Sequence, residues 1–313
     1  MLLRNHPLAH APIVREIERA ASAHLGRAWA ASGFTDLNDR ASHPCGLLHG
    51  DAFSVFAKLD ASAEGHEQFV AELRGLNLLR QRAAVVTPAS VGAGVIDFGA
   101  DSLLLLEAIP EIPVEARSVN HWRSIGHALA ALHQVHEERF GLEQFDGFFG
   151  PLRQDNRPVA SNRWVDFYAE RRLLPRLTSA VDSGHLPVEL AVGVERLINR
   201  LPALCGPETR PTLLHGDAQQ NNFLTTATQA ILLDAAPYFG HPEIDLALVD
   251  YFEPVPRAVF DAYAEITPID PGFRYRRELW RLFGYLAVIT VDGTSAFGRP
   301  FLNRVAQAIA TYE

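Results

Sequence analysis

Two short apolar segments separated by a polar loop place the strongest constraint on the fold of this 313-residue chain. The first segment, 212–214, leads into Asp217 and Asn222, and the second, 230–233, ends directly at Asp234. If these segments form a strand pair, the three oxygen-bearing side chains lie together at one rim. Asp217 can accept the proton of an attacking hydroxyl, while Asn222 and Asp234 suit Mg²⁺, so the spacing predicts a phosphoryl-transfer centre.

Phosphoryl transfer also requires a cation that faces the phosphates of the nucleotide. Lys58 lies in the segment 53–59, whose residues alternate as in a strand. A lysine that points inward from such a strand is costly without an anionic partner. Glu72, in the helical pattern that follows, is the natural partner, so we expect an ion pair. An exposed lysine on an edge strand is the alternative.

Hydrophobic periodicity divides the chain near residue 108. Strand patterns precede that point at 53–59, 85–88, 94–98 and 102–107, with helical patterns at 13–31 and 67–80. After a linker with two prolines, helical patterns dominate at 120–135, 163–177, 188–201, 257–265 and 275–291. The sequence therefore predicts an α+β fold, with a small β-rich lobe containing one intercalated helix over 1–108 and a larger, mainly helical lobe over 109–313.

Two longer stretches around these side chains resemble one family of kinases. The stretch LHGDAQQNN, residues 214–222, resembles the catalytic loop of the aminoglycoside phosphotransferase-like group, which is related to the protein kinases. The stretch LDAAPYFGHPEIDLA, residues 233–247, is similar to a segment of the fructosamine (ketosamine) kinase family within that group. The resemblance covers roughly residues 45–290 and implies a protein-kinase-like, bilobal fold.

The resemblance also implies roles for individual residues. Asp217 would be the catalytic carboxylate, Asn222 and Asp234 would bind Mg²⁺, and ATP would donate the phosphoryl group. Asp245 would support the catalytic loop, although a helix N-cap before Leu246 explains that residue equally well.

Two further predictions concern the backbone near the nucleotide and near the catalytic loop. The segment 103–109 resembles the hinge strand of the family, whose backbone at Glu107 and Ile109 would bind adenine. His215 is expected to hydrogen-bond the backbone of the catalytic loop and so to position it. The choice between ATP and GTP stays open.

The expected phosphate loop is poor in glycine. The sequence contains neither a GxGxxG pattern nor a P-loop pattern, and the second absence excludes the P-loop class of NTPases. We expect backbone amides near Gly46, in the stretch 43–50, to cover the phosphates instead. Because this stretch departs from the glycine pattern, a catalytically silent, kinase-like nucleotide-binding protein is an alternative.

The acceptor implied by the family is a hydroxyl group of a small sugar-like or amine-bearing molecule. Gln219 stands where the family has a tryptophan, so it can hydrogen-bond an acceptor but cannot stack on a sugar. Asn221 replaces a glycine and can take the left-handed conformation. Asp250 is a candidate for attracting a cationic amine, with a solvated helix-end acid as its alternative. An aminoglycoside-type antibiotic is a second candidate acceptor.

Composition excludes several other classes of function. The net charge is −9 and no dense run of lysine or arginine occurs, so a nucleic-acid-binding surface is not expected. No window of 18 uninterrupted apolar residues predicts a membrane span. Two distant cysteines, Cys45 and Cys205, indicate no disulfide framework, and a cytoplasmic location is the expectation. The oligomeric state is left open.

A hydrolase with two metal ions is the remaining alternative. It would use His215, Asp217, Asp234 and His241 as ligands. Sites of that kind use a denser set of histidines and aspartates. The predicted pair of a strand lysine and a helix glutamate also has no place in it, so the kinase is the preferred interpretation.

Overall fold

The computed structural model describes residues 6–38 and 43–313, and the first lobe contains one five-stranded sheet. Its strands are β1 (Gly33–Asp36), β2 (Cys45–His49), β3 (Ser54–Asp60), β4 (Ser90–Phe98) and β5 (Asp101–Glu107). They lie in the order β1-β2-β3-β5-β4, and each neighbouring pair is antiparallel. Two helices accompany the sheet, α1 (Ala11–Leu25) and α2 (Gly65–Ala83).

The four consecutive leucines of β5 explain why the sheet is covered on both faces. Leu103 and Leu105 pack in the core cluster that includes the apolar residues of α1. Leu104 and Leu106 point to the opposite face and pack in the cluster that includes α2. A strand that is buried on both faces requires a continuous apolar run, and β5 has one.

The first lobe has one helix more than the single intercalated one. α1 precedes the sheet, at the position where the helical pattern of 13–31 predicts it. It ends at Leu25 instead of residue 31, because Gly26 adopts a left-handed backbone with φ of 64° and caps the helix. α2 is the helix predicted over 67–80, extended by a few residues at both ends.

The second lobe is mainly helical. Its helices are α3 (Val119–Leu132), α4 (Trp164–Tyr168), α5 (Leu174–Asp182), α6 (Val188–Leu204), α7 (Glu243–Leu248), α8 (Ala258–Ala264), α9 (Phe273–Asp292) and α10 (Arg299–Tyr312). Its strands are β6 (Gly147–Phe149), β7 (Leu152–Gln154), β8 (Thr212–Leu213), β9 (Phe223–Thr225), β10 (Ala230–Leu232) and β11 (Phe239–Gly240). The α+β class predicted from the sequence is confirmed.

The two apolar segments around the polar loop are strands, but the prediction that they pair with each other is wrong. β8 pairs with β11, and β10 pairs with β9. Single backbone hydrogen bonds continue each of these two pairings beyond its strands. Leu233 N donates to Asn222 O at 2.9 Å, and Ala236 N donates to His215 O at 2.9 Å. These bonds bring the polar loop beside the residues that follow β10.

One prediction about the first lobe is also wrong. The segment 85–88 is extended but does not join the sheet, and Val86 O accepts a hydrogen bond from Leu232 N of the second lobe at 3.0 Å. Gly46 lies inside β2, opposite Asp36 of β1 and Ala57 of β3, and the expectation that backbone amides near it cover the phosphates stays a prediction. The connection from β1 to β2 contains residues 39–42, which lie outside the described residues.

Within the described parts of the chain, no helix combines the length and the apolar character needed to cross a membrane.

Candidate active site

Lys58 connects the two lobes through its ammonium group. It projects from β3 and is only 5% exposed. Its Nζ lies 2.9 and 3.0 Å from the two carboxylate oxygens of Glu72 on α2. The same Nζ contacts Oδ1 of Asp234, which follows β10 in the second lobe. The structure therefore contains the ion pair of Lys58 and Glu72 that the sequence predicts, and it brings Asp234 to that pair at the boundary of the lobes.

The polar loop between β8 and β9 is held by one buried acid. Asp245, in α7, accepts hydrogen bonds from His215 N at 2.6 Å and Gly216 N at 3.0 Å. Gly216 has φ of +82°, and a Cβ there would lie 2.0 Å from Ala236 O, so only glycine fits. Asp245 is the third residue of α7 rather than its N-cap, so the N-cap alternative is wrong.

A buried histidine that the sequence analysis did not select belongs to this network. His133, at the C-terminal end of α3, contacts Asp245 Oδ2 through Nε2 at 3.2 Å and the Tyr263 hydroxyl through Nδ1 at 2.7 Å. Both His133 and Asp245 are buried. The position of His133 on α3 could not predict these contacts, because both partners lie more than 100 positions away along the chain.

Asp217 is buried in the same loop, and its carboxylate accepts hydrogen bonds from two side-chain amides. Gln219 Nε2 lies 3.2 and 3.0 Å from its carboxylate oxygens, and Asn222 Nδ2 lies 3.2 Å from Oδ2. Burial raises the pKa of Asp217 to about 6, while the two amide donors oppose that rise. The Asp217 carboxylate can therefore take up and release a proton near neutral pH, as a general base must.

Asn222 and Asp234 have the atoms that a divalent cation requires. Asn222 commits its Nδ2 to Asp217, which leaves its Oδ1 as an acceptor. Asp234 has φ of 50°, an uncommon left-handed conformation for an aspartate that is favoured at functional positions. Both side chains line the same cavity.

One cavity of about 680 Å³ lies between the lobes and contains the predicted centre. Its lining includes Lys58, Glu72, Asp217, Gln219, Asn222 and Asp234. The remaining lining includes several aromatic and apolar residues that the sequence analysis did not select, Phe148, Phe149, Phe252, Val288, Val291 and Phe297, and one further acid, Asp292. These residues come from distant segments, so no local motif marked them.

Three other predicted residues lie outside this lining. Glu107 and Ile109, at the end of β5 and just after it, are not among the cavity residues. Asp250 is also absent, and two arginines hold its carboxylate: Arg281 Nη2 lies 2.6 Å from Oδ1, and Arg277 contacts Oδ2. The expectation that Asp250 attracts a cationic amine is therefore wrong, because its charge is already neutralised away from the cavity.

Asn221 does not use the conformation expected of a replaced glycine. It lies in the short 3₁₀ helix Gln220–Asn222, and it is exposed. The non-glycine residues with positive φ in the described chain are Ala84, Asn162 and Asp234. The exchange of glycine for Asn221 therefore places no strain on the backbone.

The residues proposed for a hydrolase do not form a metal centre. Nδ1 of His215 accepts a hydrogen bond from Asp217 N at 3.3 Å, and Nδ1 of His241 accepts one from Glu243 N at 3.2 Å. Burial lowers the pKa of His215 to about 4 and that of His241 to about 3. Over residues 6–38 and 43–313, no group of three or more histidine, cysteine or acidic side chains is placed to hold a metal ion.

A strand lysine paired with a helix glutamate, facing two aspartates and an asparagine across a cleft, defines the kinase-like class of phosphotransferases. Comparison with known proteins gives the family. The family model "Fructosamine kinase" matches residues 13–312. A "Probable ketoamine kinase" of Synechocystis is 32% identical over 246 residues, 77% of this chain and 78% of that protein. The chain belongs to the fructosamine kinase family and is a small-molecule phosphotransferase.

Solved structures agree with the fold. A Thermobifida fusca protein, named as a fructosamine-3-kinase, superposes with a TM-score of 0.79 at 29% identity, over 95% of this chain and 99% of that one. Aminoglycoside phosphotransferase APH(4)-Ia superposes with a TM-score of 0.61 at 14% identity, over 96% and 99% of the two chains. The predicted family is confirmed, and the fold is shared with this aminoglycoside phosphotransferase.

Proposed function

We propose that this protein transfers the γ-phosphoryl group of ATP to a hydroxyl group of a small ketosamine. The observation that carries the proposal is the contact of Lys58 with Asp234 in the cavity that Asp217 also lines. A ketosamine is a sugar derivative with an amine next to the sugar carbonyl. The fructosamine kinase family and the name of the Synechocystis relative support this choice of acceptor.

The proposed reaction is a direct transfer from nucleotide to acceptor. The hydroxyl oxygen attacks the γ-phosphorus, a new O–P bond forms, and the bond from that phosphorus to the bridging oxygen of ADP breaks. The products are a phosphate ester and ADP. Asp217 accepts the proton of the attacking hydroxyl, and the amides of Gln219 and Asn222 hold its carboxylate towards the cavity.

Mg²⁺, when bound with the nucleotide, neutralises charge on the phosphates. Asn222 Oδ1 and the Asp234 carboxylate would hold it, and two protein ligands suit an ion that keeps water and phosphate oxygens as its other ligands. Lys58 would turn its ammonium group towards the phosphates while Glu72 keeps it in place.

The hinge backbone completes the nucleotide site of the proposal. Glu107 N already donates to Ala89 O at 2.8 Å, so we assign the carbonyl oxygen of Glu107 to the adenine amino group. The N–H of Ile109 is assigned to a ring nitrogen. The choice of ATP over GTP depends on these two contacts, because guanine carries a carbonyl where adenine has its amino group.

An assay of ADP release with a synthetic ketosamine tests the proposal. We expect release that depends on the acceptor, and a fall of at least about 100-fold in Asp217→Ala. Asp51→Ala is the matched control, because Asp51 ends a second His-Gly-Asp sequence on the exposed turn between β2 and β3. Thermal stabilisation by nucleotide, without turnover of any ketosamine or aminoglycoside, would instead favour the catalytically silent protein.

A further inference from the structure

Part of the cavity wall is apolar and unusually exposed. Phe252, Val288, Val291 and Phe297 line it, and Val291 and Phe297 are 45% and 52% exposed. The rings of Phe252 and Phe297 lie against each other, with centroids 5.9 Å apart. Exposed apolar side chains gathered at a cavity indicate contact with a ligand. The proposed transfer of a phosphoryl group gives this wall no role.

One acid beside this wall has no partner. Among the cavity acids that the structure describes, Glu72 and Asp234 contact Lys58, and Asp217 accepts two side-chain amides. Asp292 has neither a hydrogen bond nor an ion pair to its carboxylate from any described residue. Its side chain is half-buried, so its charge is only partly solvated.

The position of Asp292 in its helix adds to the negative potential. It is the last residue of α9, a helix of 20 residues, and no basic residue lies in the last turn. The C-terminal end of a helix carries partial negative charge, so a carboxylate there is unfavourable unless a cation approaches. The faces of Phe252 and Phe297 also attract cations.

We infer that Asp292, with the aromatic pair Phe252 and Phe297, binds the protonated amine of the acceptor and the apolar substituent on that amine. The inference rests on the proposed function, because the reacting hydroxyl of the same molecule must reach Asp217. The ammonium group faces Asp292, and its apolar arm packs on the two phenylalanine rings and Val291. The substrate class is therefore ketosamines formed from apolar amines.

The geometry also defines what the subsite rejects. A ketosamine formed from an amino acid carries a carboxylate next to its amine. That carboxylate would lie against Asp292 and the negative end of α9, and like charges in a half-buried site repel. We therefore expect the protein to discriminate between two Amadori adducts, that of glucose with benzylamine and that of glucose with glycine.

The test compares kcat/KM for these two adducts in wild type and variants. We expect wild type to prefer the benzylamine adduct about tenfold or more, and Asp292→Asn to lower kcat/KM for it about fivefold to tenfold. Asp292→Lys should invert the preference. Asp182→Asn is the matched control, because Asp182 is an exposed acid at the C-terminal end of α5 and does not line the cavity.

Titration calorimetry of the same adducts without nucleotide separates this inference from the proposed function. Binding of the benzylamine adduct that weakens in Asp292→Asn and Phe297→Ala, but not in Asp182→Asn, supports the subsite even if no phosphoryl group is transferred. An unchanged preference between the two adducts in both Asp292→Asn and Asp292→Lys overturns the subsite, even if ADP release is normal.

Discussion

At the scale of single residues, the burial of the Asp217 carboxylate opposes the stability of the fold, although the proposed reaction needs this charged base. Burial raises the pKa of Asp217 in the folded protein to about 6, above that of an aspartate in an unfolded chain. A raised folded pKa means that the protonated form is the one that stabilises the fold. This stability is present at low pH and is lost as the pH rises through about 6. At neutral pH, the charged base opposes folding.

Asp217→Asn is therefore expected to separate activity from stability. At pH 7 the free energy of unfolding should rise by about 1–3 kcal/mol, because a neutral amide replaces a buried charge. Below about pH 3 the difference should vanish, since the Asp217 carboxylate of wild type is then protonated in both the folded and the unfolded state. Urea unfolding at the two pH values measures it, with Asp51→Asn as the control. Destabilisation of Asp217→Asn at pH 7 contradicts this account.

Gln219 controls the pKa of Asp217 in the same site. Its amide hydrogen bonds lower that pKa against the effect of burial. The profile of kcat/KM should fall below about pH 6 in wild type, and Gln219→Ala should move that fall to higher pH. Gln220→Ala is the control, because the amide of Gln220 donates to Glu253 instead. Identical profiles in the two variants would show that Gln219 does not tune the base.

Lys58 is the only lysine in the whole sequence, which gives a direct probe of the nucleotide site. An amine-reactive reagent can modify only Lys58 and the terminal amine. Because Lys58 is buried in an ion pair, its modification should be slow, and ATP with Mg²⁺ should slow it about tenfold further. Peptide mass spectrometry measures both rates. Equal modification of Lys58 with and without nucleotide would contradict its assigned role.

At the scale of secondary-structure elements, Asp245 connects α7 to the catalytic loop and, through His133, to α3. Two backbone N–H groups converge on its carboxylate. An asparagine has one acceptor oxygen, so it leaves a buried donor without a partner.

Asp245→Asn should lower the free energy of unfolding by about 2–4 kcal/mol. Urea unfolding measures this, and Asp261→Asn, an exposed acid on α8, should be unchanged. A loss equal to that of the control would show that the network does not hold the loop.

The elements also show what the sequence could and could not predict. The leucine run of β5 and the periodicity of α2 depend on local pattern, so both were predictable. The strand β2 was not predicted because Gly46, with Pro44 and Gly50 on either side, is typical of a loop, and pairing with β1 and β3 makes it a strand. Pairing partners are set by tertiary contacts, which also explains the wrong prediction for β8 and β10.

In the site as well, residues marked by local spacing were predictable, and residues placed by tertiary contacts were not. Asp217, Asn222 and Asp234 lie within 18 consecutive positions, and their spacing carried the prediction. His133 contacts Asp245, and Asp292 lies in the cavity lining. The fold assembles both surroundings from distant segments, so no spacing in the sequence marked these two residues. Asp250 was misassigned because the two arginines that neutralise it follow about 30 positions later.

At the scale of the whole molecule, the cavity between the lobes is the place where we propose that the nucleotide and the acceptor bind. A backbone hydrogen bond between the lobes, from Leu232 N to Val86 O at 3.0 Å, holds the cleft beside Lys58 and Asp234. A second one, from Ile112 N to Thr225 O at 2.7 Å, ties the proline-containing linker to the second lobe. Direct transfer requires both substrates in that cavity at once. A hydrolase would instead give the phosphoryl group to water.

The most direct test is to follow the phosphoryl group itself. ATP that carries ¹⁸O in its γ-phosphoryl group is incubated with the Amadori adduct of glucose with benzylamine, and mass spectrometry locates the label. The account predicts labelled phosphate ester of the adduct, formed in amounts equal to ADP, by wild type and Asp51→Asn, and none by Asp217→Asn. Label found only in inorganic phosphate, or an undiminished ester yield with Asp217→Asn, would contradict it.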